Sequence, residues 1–173
     1  MKVFLTGLPG SGKSTVLMKA VEILREKGLK IGGIVTPEIR IGGKRIGFGV
    51  KDVWFGVEGI LARVNKKVGP KVGKYTIYLE SFEKVALPAL EFALKNCDLI
   101  VIDEVGKMEV FSKRFMENVL EIFNSDKKVL AIVHRNFVSR FKNFGKVIEV
   151  NENNRDSLPR ELSKYFLDGS AQN

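Results

Sequence analysis

Short apolar runs alternate with amphipathic stretches along most of the chain. Val3-Phe4-Leu5 leads into Thr6-Gly7, and beyond a glycine-rich stretch Val16, Leu17, Ala20, Val21 and Leu24 recur at the spacing of one helix face. Gly28 stops that helix, and residues 31–36 form another short run before Pro37. The pattern predicts strand, helix, strand. A helix over residues 85–95 follows later, with Pro88 acceptable only near its first turn. Leu99-Ile100-Val101-Ile102 has no polar member, as in strands buried on both faces. Ser112 is placed to cap a helix whose Phe115, Val119, Ile122 and Phe123 share a face. Residues 128–133 and 147–150 read as two further strands. Leu158, Leu162, Tyr165 and Phe166 mark a last amphipathic helix. Strands alternating with helices predict an α/β fold with a mainly parallel sheet flanked by helices in three layers.

Residues 38–79 break this rhythm. Glycines recur at 42, 43, 47, 49, 56, 59, 69 and 73 among β-branched and aromatic residues, which predicts antiparallel hairpins inserted in the domain. Gly42-Gly43 suits a two-residue turn because glycine supplies the positive φ that tight hairpins need. No proline- or serine-rich linker isolates the segment, so residues 1–173 are expected to form a single domain. Trp54 and Phe55 read as a core pair of a hairpin, with base stacking as the alternative.

The insertion carries nine basic and three acidic side chains, much of the net charge of +9. A solvated basic face is the ordinary explanation. An RNA or acidic partner is the other reading; Trp54, Phe55 and Tyr75 lie among the lysines, but no RNA-binding signature accompanies them. A hydrophobic content of 45% over 173 residues supplies a core without disulfides or structural metal. The single cysteine, Cys97, excludes an internal disulfide and a multi-cysteine zinc site. No apolar run approaches the roughly 18 residues of a membrane helix. A cytoplasmic monomer with no membrane partner is the expectation.

Chemistry concentrates at two places. Gly7-Leu8-Pro9-Gly10-Ser11-Gly12-Lys13-Ser14 fits the phosphate-binding pattern of Gly, four residues, Gly-Lys-Ser/Thr, and lies between a predicted strand and a predicted helix. Backbone N–H groups and the positive helix end converge there on phosphate oxygens. Lys13 reaches the β- and γ-phosphates, the Ser14 hydroxyl can ligate magnesium, and Thr15 falls beside the α-phosphate. The second place is Asp103-Glu104, two carboxylates delivered to the end of a buried strand. In a parallel sheet that end lies beside the phosphate loop. Asp103 would hold magnesium, usually through its water, and Glu104 could polarise an attacking water. A base for water favours hydrolysis over transfer to an organic acceptor. A nucleotide or small-molecule kinase remains the rival reading, and a nucleotide-gated RNA- or protein-binding module a third.

Asp103-Glu104-Val105-Gly106-Lys107-Met108-Glu109-Val110-Phe111-Ser112, taken with residues 7–15, resembles the THEP-type nucleoside-triphosphatase family. Residues 33–40, 43–48, 72–75 and 154–156 are similar in kind, so the resemblance spans nearly the whole chain. It implies a compact phosphate-loop fold that hydrolyses ATP, GTP, CTP and UTP to the diphosphate and phosphate with magnesium and broad base tolerance. It also brings Gly106 into the nucleotide site with its segment. Candidates for a further cation at the γ-phosphate are Arg40, Lys107 and Arg135. Lys107 could instead pair with Glu109 or another surface acid, and Arg40 would need the insertion to fold over the nucleotide. His134, with Arg135, could sense the γ-phosphate or simply be hydrogen-bonded in place. Asn154 and Arg155 could contact base or ribose; Asn154 or Asp156 could equally cap the last helix.

Overall fold

The computed structural model describes residues 1–169. Strand β1 (Lys2–Thr6) buries Val3 and Leu5 in one core and Phe4 in another, because successive strand side chains point to opposite faces. Helix α1 (Lys13–Glu26) returns along the Val3 face and buries Val16, Leu17, Ala20, Val21 and Leu24 there. Strand β2 (Ile31–Val35) follows in parallel sense. The inserted hairpins come next as β3 (Glu38–Ile41), β4 (Lys44–Asp52), β5 (Glu58–Arg63), β6 (Lys71–Val72) and β7 (Tyr75–Ile77). Between β3 and β4 the two-residue turn has Gly42 at φ 56° and Gly43 at φ 76°, as its sequence demands.

Helix α2 spans Leu79–Asn96 and starts six residues earlier than the apolar pattern predicts, so Pro88 lies inside the helix rather than in its first turn. The missing N–H forfeits the bond to the Lys84 carbonyl, a cost of about 3 kcal/mol in a helix interior. Burial of Phe82, Val85, Ala86, Leu87, Ala89, Leu90 and Ala93 outweighs it, at roughly 1.5–3 kcal/mol for each of the larger side chains. The rest of the chain supplies β8 (Leu99–Val105), α3 (Lys113–Asn124), β9 (Lys128–Val133), the single turn α4 (Val138–Phe141), β10 (Lys146–Glu149) and α5 (Leu158–Asp168). Ser112 caps α3 as expected: its hydroxyl accepts from the Phe115 N–H at 3.1 Å and donates to Glu83 at 3.0 Å.

All strands of the described residues join one sheet in the order β10-β1-β9-β8-β2-β4-β5-β7-β6, with β3 on β4. The five strands from β10 to β2 are parallel, and the hairpin strands continue the sheet in antiparallel sense. Helices α1 and α5 cover one face, with Leu158, Leu162 and Phe166 meeting α1 across Leu99, Val101, Leu130 and Ile132. Helices α2 and α3 cover the other, over Ile100, Ile102, Val129 and Ala131. The apolar run at 99–102 is thus buried from both sides, and it brings Asp103 to the carboxyl edge of the sheet, one strand removed from β1 across β9. Among the described residues no helix is long and apolar enough to cross a membrane.

Candidate functional site

Residues 7–12 form the turn between β1 and α1. Gly7, at φ 147°, passes so near the strand end that a β-carbon would lie 2.7 Å from the Val150 carbonyl oxygen. Gly12 stands at the N-terminus of α1 in left-handed conformation, with no side-chain cap, and the helix's first turn holds no acidic residue. Its leading N–H groups and positive end therefore meet no anion from the helix's own first turn. Leu8, Pro9 and Gly10 form the exposed crest of the loop. The Lys13 ammonium donates to the carbonyls of Gly7 and Leu8 at 2.9 and 3.0 Å, curled within the loop it would leave for a phosphate. The hydroxyls of Thr6, just before this turn, and Ser11, within it, are buried without a hydrogen-bond partner. Thr15 is exposed one residue beyond Ser14.

Strand β8 delivers the carboxylates. Its pairing with β9 slips between Asp103 and Val105, a bulge that lets Asp103 and Glu104 both line one cavity instead of facing opposite ways. Thr36, just past β2, donates its hydroxyl to the Asp103 carbonyl at 2.7 Å and ties the two strand ends together. Asp103 is 8% exposed. Burial pushes its carboxyl up to about 7; Glu104 adds to the rise, while the Ser14 hydroxyl donating to it and Lys13 nearby oppose it. Glu104 is also raised by burial, against the pull of Lys13. Gly106 leaves the room that the Glu104 carboxylate fills, since a β-carbon at 106 would collide with that carboxylate.

A third carboxyl belongs to the group. Glu109 is 3% exposed and lines the same cavity, of about 300 Å³, with Ser14, Asp103, Glu104, Lys107 and His134. Burial raises it well above the ordinary carboxyl range, with Glu104 and Asp103 adding to the rise; the backbone N–H groups of Glu109 and Gly106, donating to it, hold it down in part. Sequence patterning gives no sign of this. In Lys107-Met108-Glu109 it reads as a surface acid, and only the turn that folds it inward reveals its burial. Among the described residues no ion pair joins it to Lys107.

His134 follows β9 and lines the cavity; its Nδ1 accepts from the Asn136 N–H at 3.1 Å, and burial with Lys107, Arg135 and Lys13 lowers its pKa. Arg135 is exposed one residue on. Arg40 is engaged within its own hairpin, 2.8 Å from Glu38 and donating to the Gly43 carbonyl, and the structure does not bring it to the phosphate loop. Arg155 lies over the loop, its Cδ 3.4 Å from where a β-carbon on Gly12 would stand. Asn154 holds the turn before α5, donating to the Glu149 carbonyl and accepting from the Asn151 N–H. Trp54 and Phe55 are a correction to the core reading: they are 43% and 62% exposed, in the turn between β4 and β5, where each packs one side of its ring against Phe92.

Ser14 and Asp103 are hard oxygen donors already in contact. Among the described residues no group of three or more His, Cys, Asp or Glu side chains could enclose a metal ion. This donor set fits magnesium, which is commonly held by one or two protein oxygens together with substrate phosphates.

A family model described as NTPase matches residues 2–163. The nucleoside-triphosphatase THEP1 of Methanocaldococcus jannaschii is 44% identical over 170 residues, covering 98% of this chain and 99% of that one. Its namesake from Methanosarcina barkeri is 46% identical, covering 96% and 97%. Two solved structures share the fold: THEP1 from the hyperthermophile Aquifex aeolicus, at TM-score 0.84 and 31% identity over 96% of this chain and 99% of that one, and a human cancer-related nucleoside triphosphatase, at 0.79 and 34% over 96% and 97%.

Proposed function

The chain belongs to this NTPase family and is a nucleoside-triphosphatase, and from that premise we propose that it hydrolyses the terminal anhydride of nucleoside triphosphates, with magnesium and with tolerance of the base, to the diphosphate and phosphate. The observation that carries the reading is the meeting of the uncapped α1 N-terminus, through Ser14, with the buried Asp103-Glu104 pair. The loop N–H groups and the Lys13 ammonium bind the β- and γ-phosphates, Lys13 leaving its two carbonyl acceptors to do so. Ser14 and Asp103 would hold the magnesium ion, which when bound supplies positive charge to the β- and γ-phosphoryl oxygens. The pair is kept dry by burial, which strengthens each of these contacts.

Glu104 takes the proton of the attacking water. Its raised pKa brings it nearer the operating pH, where a general base is most effective, and its bulged position aims it into the cavity. Lys107 and His134 line the same cavity and meet charge developing on the equatorial oxygens. Arg155, over Gly12 and following β10, lies on the other side of β1 from the strand that carries Asp103 and accounts for the α-phosphate and ribose side.

The test is magnesium-dependent phosphate release from ATP, GTP, CTP and UTP, each alone and then with nucleoside or nucleotide acceptors. Release from all four without an acceptor is expected. Release or phosphoryl transfer only with an acceptor overturns the reading in favour of a kinase. Lys13→Ala is expected to abolish turnover or nucleotide binding.

A further inference from the structure

A groove of about 820 Å³ runs from Ser14 and Asp103 alongside α1 to Arg25, and the triphosphate reading leaves most of it unused. Ser14 and Arg25 lie at its two ends, eleven residues apart on one helix, which at 1.5 Å per residue is roughly 16 Å. Its volume falls within the range of small-molecule sites, roughly 300–1,000 Å³. The far end is a built aromatic shelf. Asp52, buried, accepts from the N–H groups of Trp54 and Phe55 at 2.8 and 3.1 Å, so the turn that presents both rings is held by its own carboxylate. Phe92 backs them with ring centroids 5.5 and 4.8 Å away.

The charges select the occupant. Glu38 is neutralised by Arg40 and Arg45, and Glu58 faces Lys51 at 3.8 Å. Arg25 makes no ion pair among the described residues; its guanidinium donates to the Val53 carbonyl at 3.0 Å, which sets it beside the shelf with donors to spare. Trp54 and Phe55 offer ring faces on which a flat ring system can stack, and Arg25 offers a partner for an anionic group.

This ligand is distinct from the hydrolysed nucleotide. In the sheet order, β10 with Arg155 after it lies on one side of β1, whereas β2 and β4 lie beyond β9 and β8 on the other. Four inter-strand steps of about 4.8 Å separate β4 from β1. A triphosphate running from Asp103 toward Arg155 carries its base away from Trp54.

We propose that the groove is a second site for a heteroaromatic anion of the nucleoside monophosphate class. The anion sits on Arg25, at the end far from Ser14, so the ligand is an effector of hydrolysis and not a phosphoryl acceptor. It acts through Ser14, Thr36 and Asp103, the wall shared by the groove and the phosphate cavity. The inference rests on the placement of the triphosphate on the loop, which fails separately if Lys13→Ala retains wild-type hydrolysis.

Trp54 is the chain's single tryptophan, so its emission reports occupancy directly. With magnesium and a non-hydrolysable triphosphate analogue at saturation, AMP, GMP, CMP and UMP are titrated against that emission. At least one is expected to give a saturable change, with the midpoint weakened tenfold or more in Arg25→Ala and in Phe55→Ala. Triphosphate hydrolysis in the absence of monophosphate is expected to be unchanged in both variants, and the tightest-binding monophosphate to alter its rate in the wild type. The proposal is overturned by no saturable change with any of the four, by midpoints indifferent to both substitutions, by a midpoint that weakens when the analogue is added, by a hydrolysis rate that no monophosphate alters, or, with labelled ATP in place of the analogue, by transfer of its γ-phosphate to the monophosphate.

Discussion

Replacing Glu104 by Gln keeps the side chain's shape in the space left by Gly106 and removes its capacity to take a proton. Turnover is expected to fall by roughly a hundredfold or more, the usual worth of a general base, while nucleotide affinity measured by equilibrium dialysis is retained. Glu109 plays a different part. In the folded chain it keeps a proton that the unfolded chain loses above its ordinary value of 4.5. The unfolded state then binds fewer protons, so this group's contribution to stability falls as the pH rises above that value, at up to about 1.4 kcal/mol per pH unit until the folded carboxyl itself ionises. Glu109→Gln preserves an acceptor for the Gly106 N–H and is expected to show a flatter decline, read from urea midpoints between pH 5 and 8. The turn between β1 and α1 was legible from spacing alone, because it depends on local backbone conformation at Gly7 and Gly12. Glu109 was not, because its burial is decided by a turn whose residues carry no periodic pattern.

At the scale of elements, patterning located what is periodic and misjudged what is not. β8 and α3 stand where their apolar spacing puts them, since each is buried along its whole length or one full face. α2 starts early because Phe82 packs edge-on against Phe115 of α3, 5.1 Å away, a contact invisible from local sequence. That packing also carries the helix through Pro88. The proline ring is exposed, so Pro88→Ala restores an N–H donor to the Lys84 carbonyl without disturbing the core. The gain of about 3 kcal/mol is offset by up to about 1 kcal/mol of lost rigidity in the unfolded chain. The net stabilisation, about 2 kcal/mol, is expected as a higher denaturant midpoint at unchanged slope. Trp54 and Phe55 were misread because an aromatic pair in a hairpin normally faces the core; here Asp52 turns the chain outward at that point.

Across the whole molecule, the site is assembled from the ends of β1, β8 and β9, so occupancy of the phosphate loop is linked to global unfolding. A triphosphate at a hundred times its Kd is expected to stabilise the fold by about 2.7 kcal/mol, seen as a rise in Tm that Lys13→Ala lacks. The parallel half of the sheet follows the alternation of strands and helices, but the strand order is set by crossovers that no local pattern encodes. That order governs how the protein is made. β1 lies between β9 and β10, and its neighbours are residues 128–133 and 146–149. A ribosome completes β1 first and must add more than a hundred further residues before either flank exists. The loop that grips phosphate is therefore made long before the strands that hold it in shape, and a nascent chain stalled before β9 has no nucleotide grip to protect it from proteolysis.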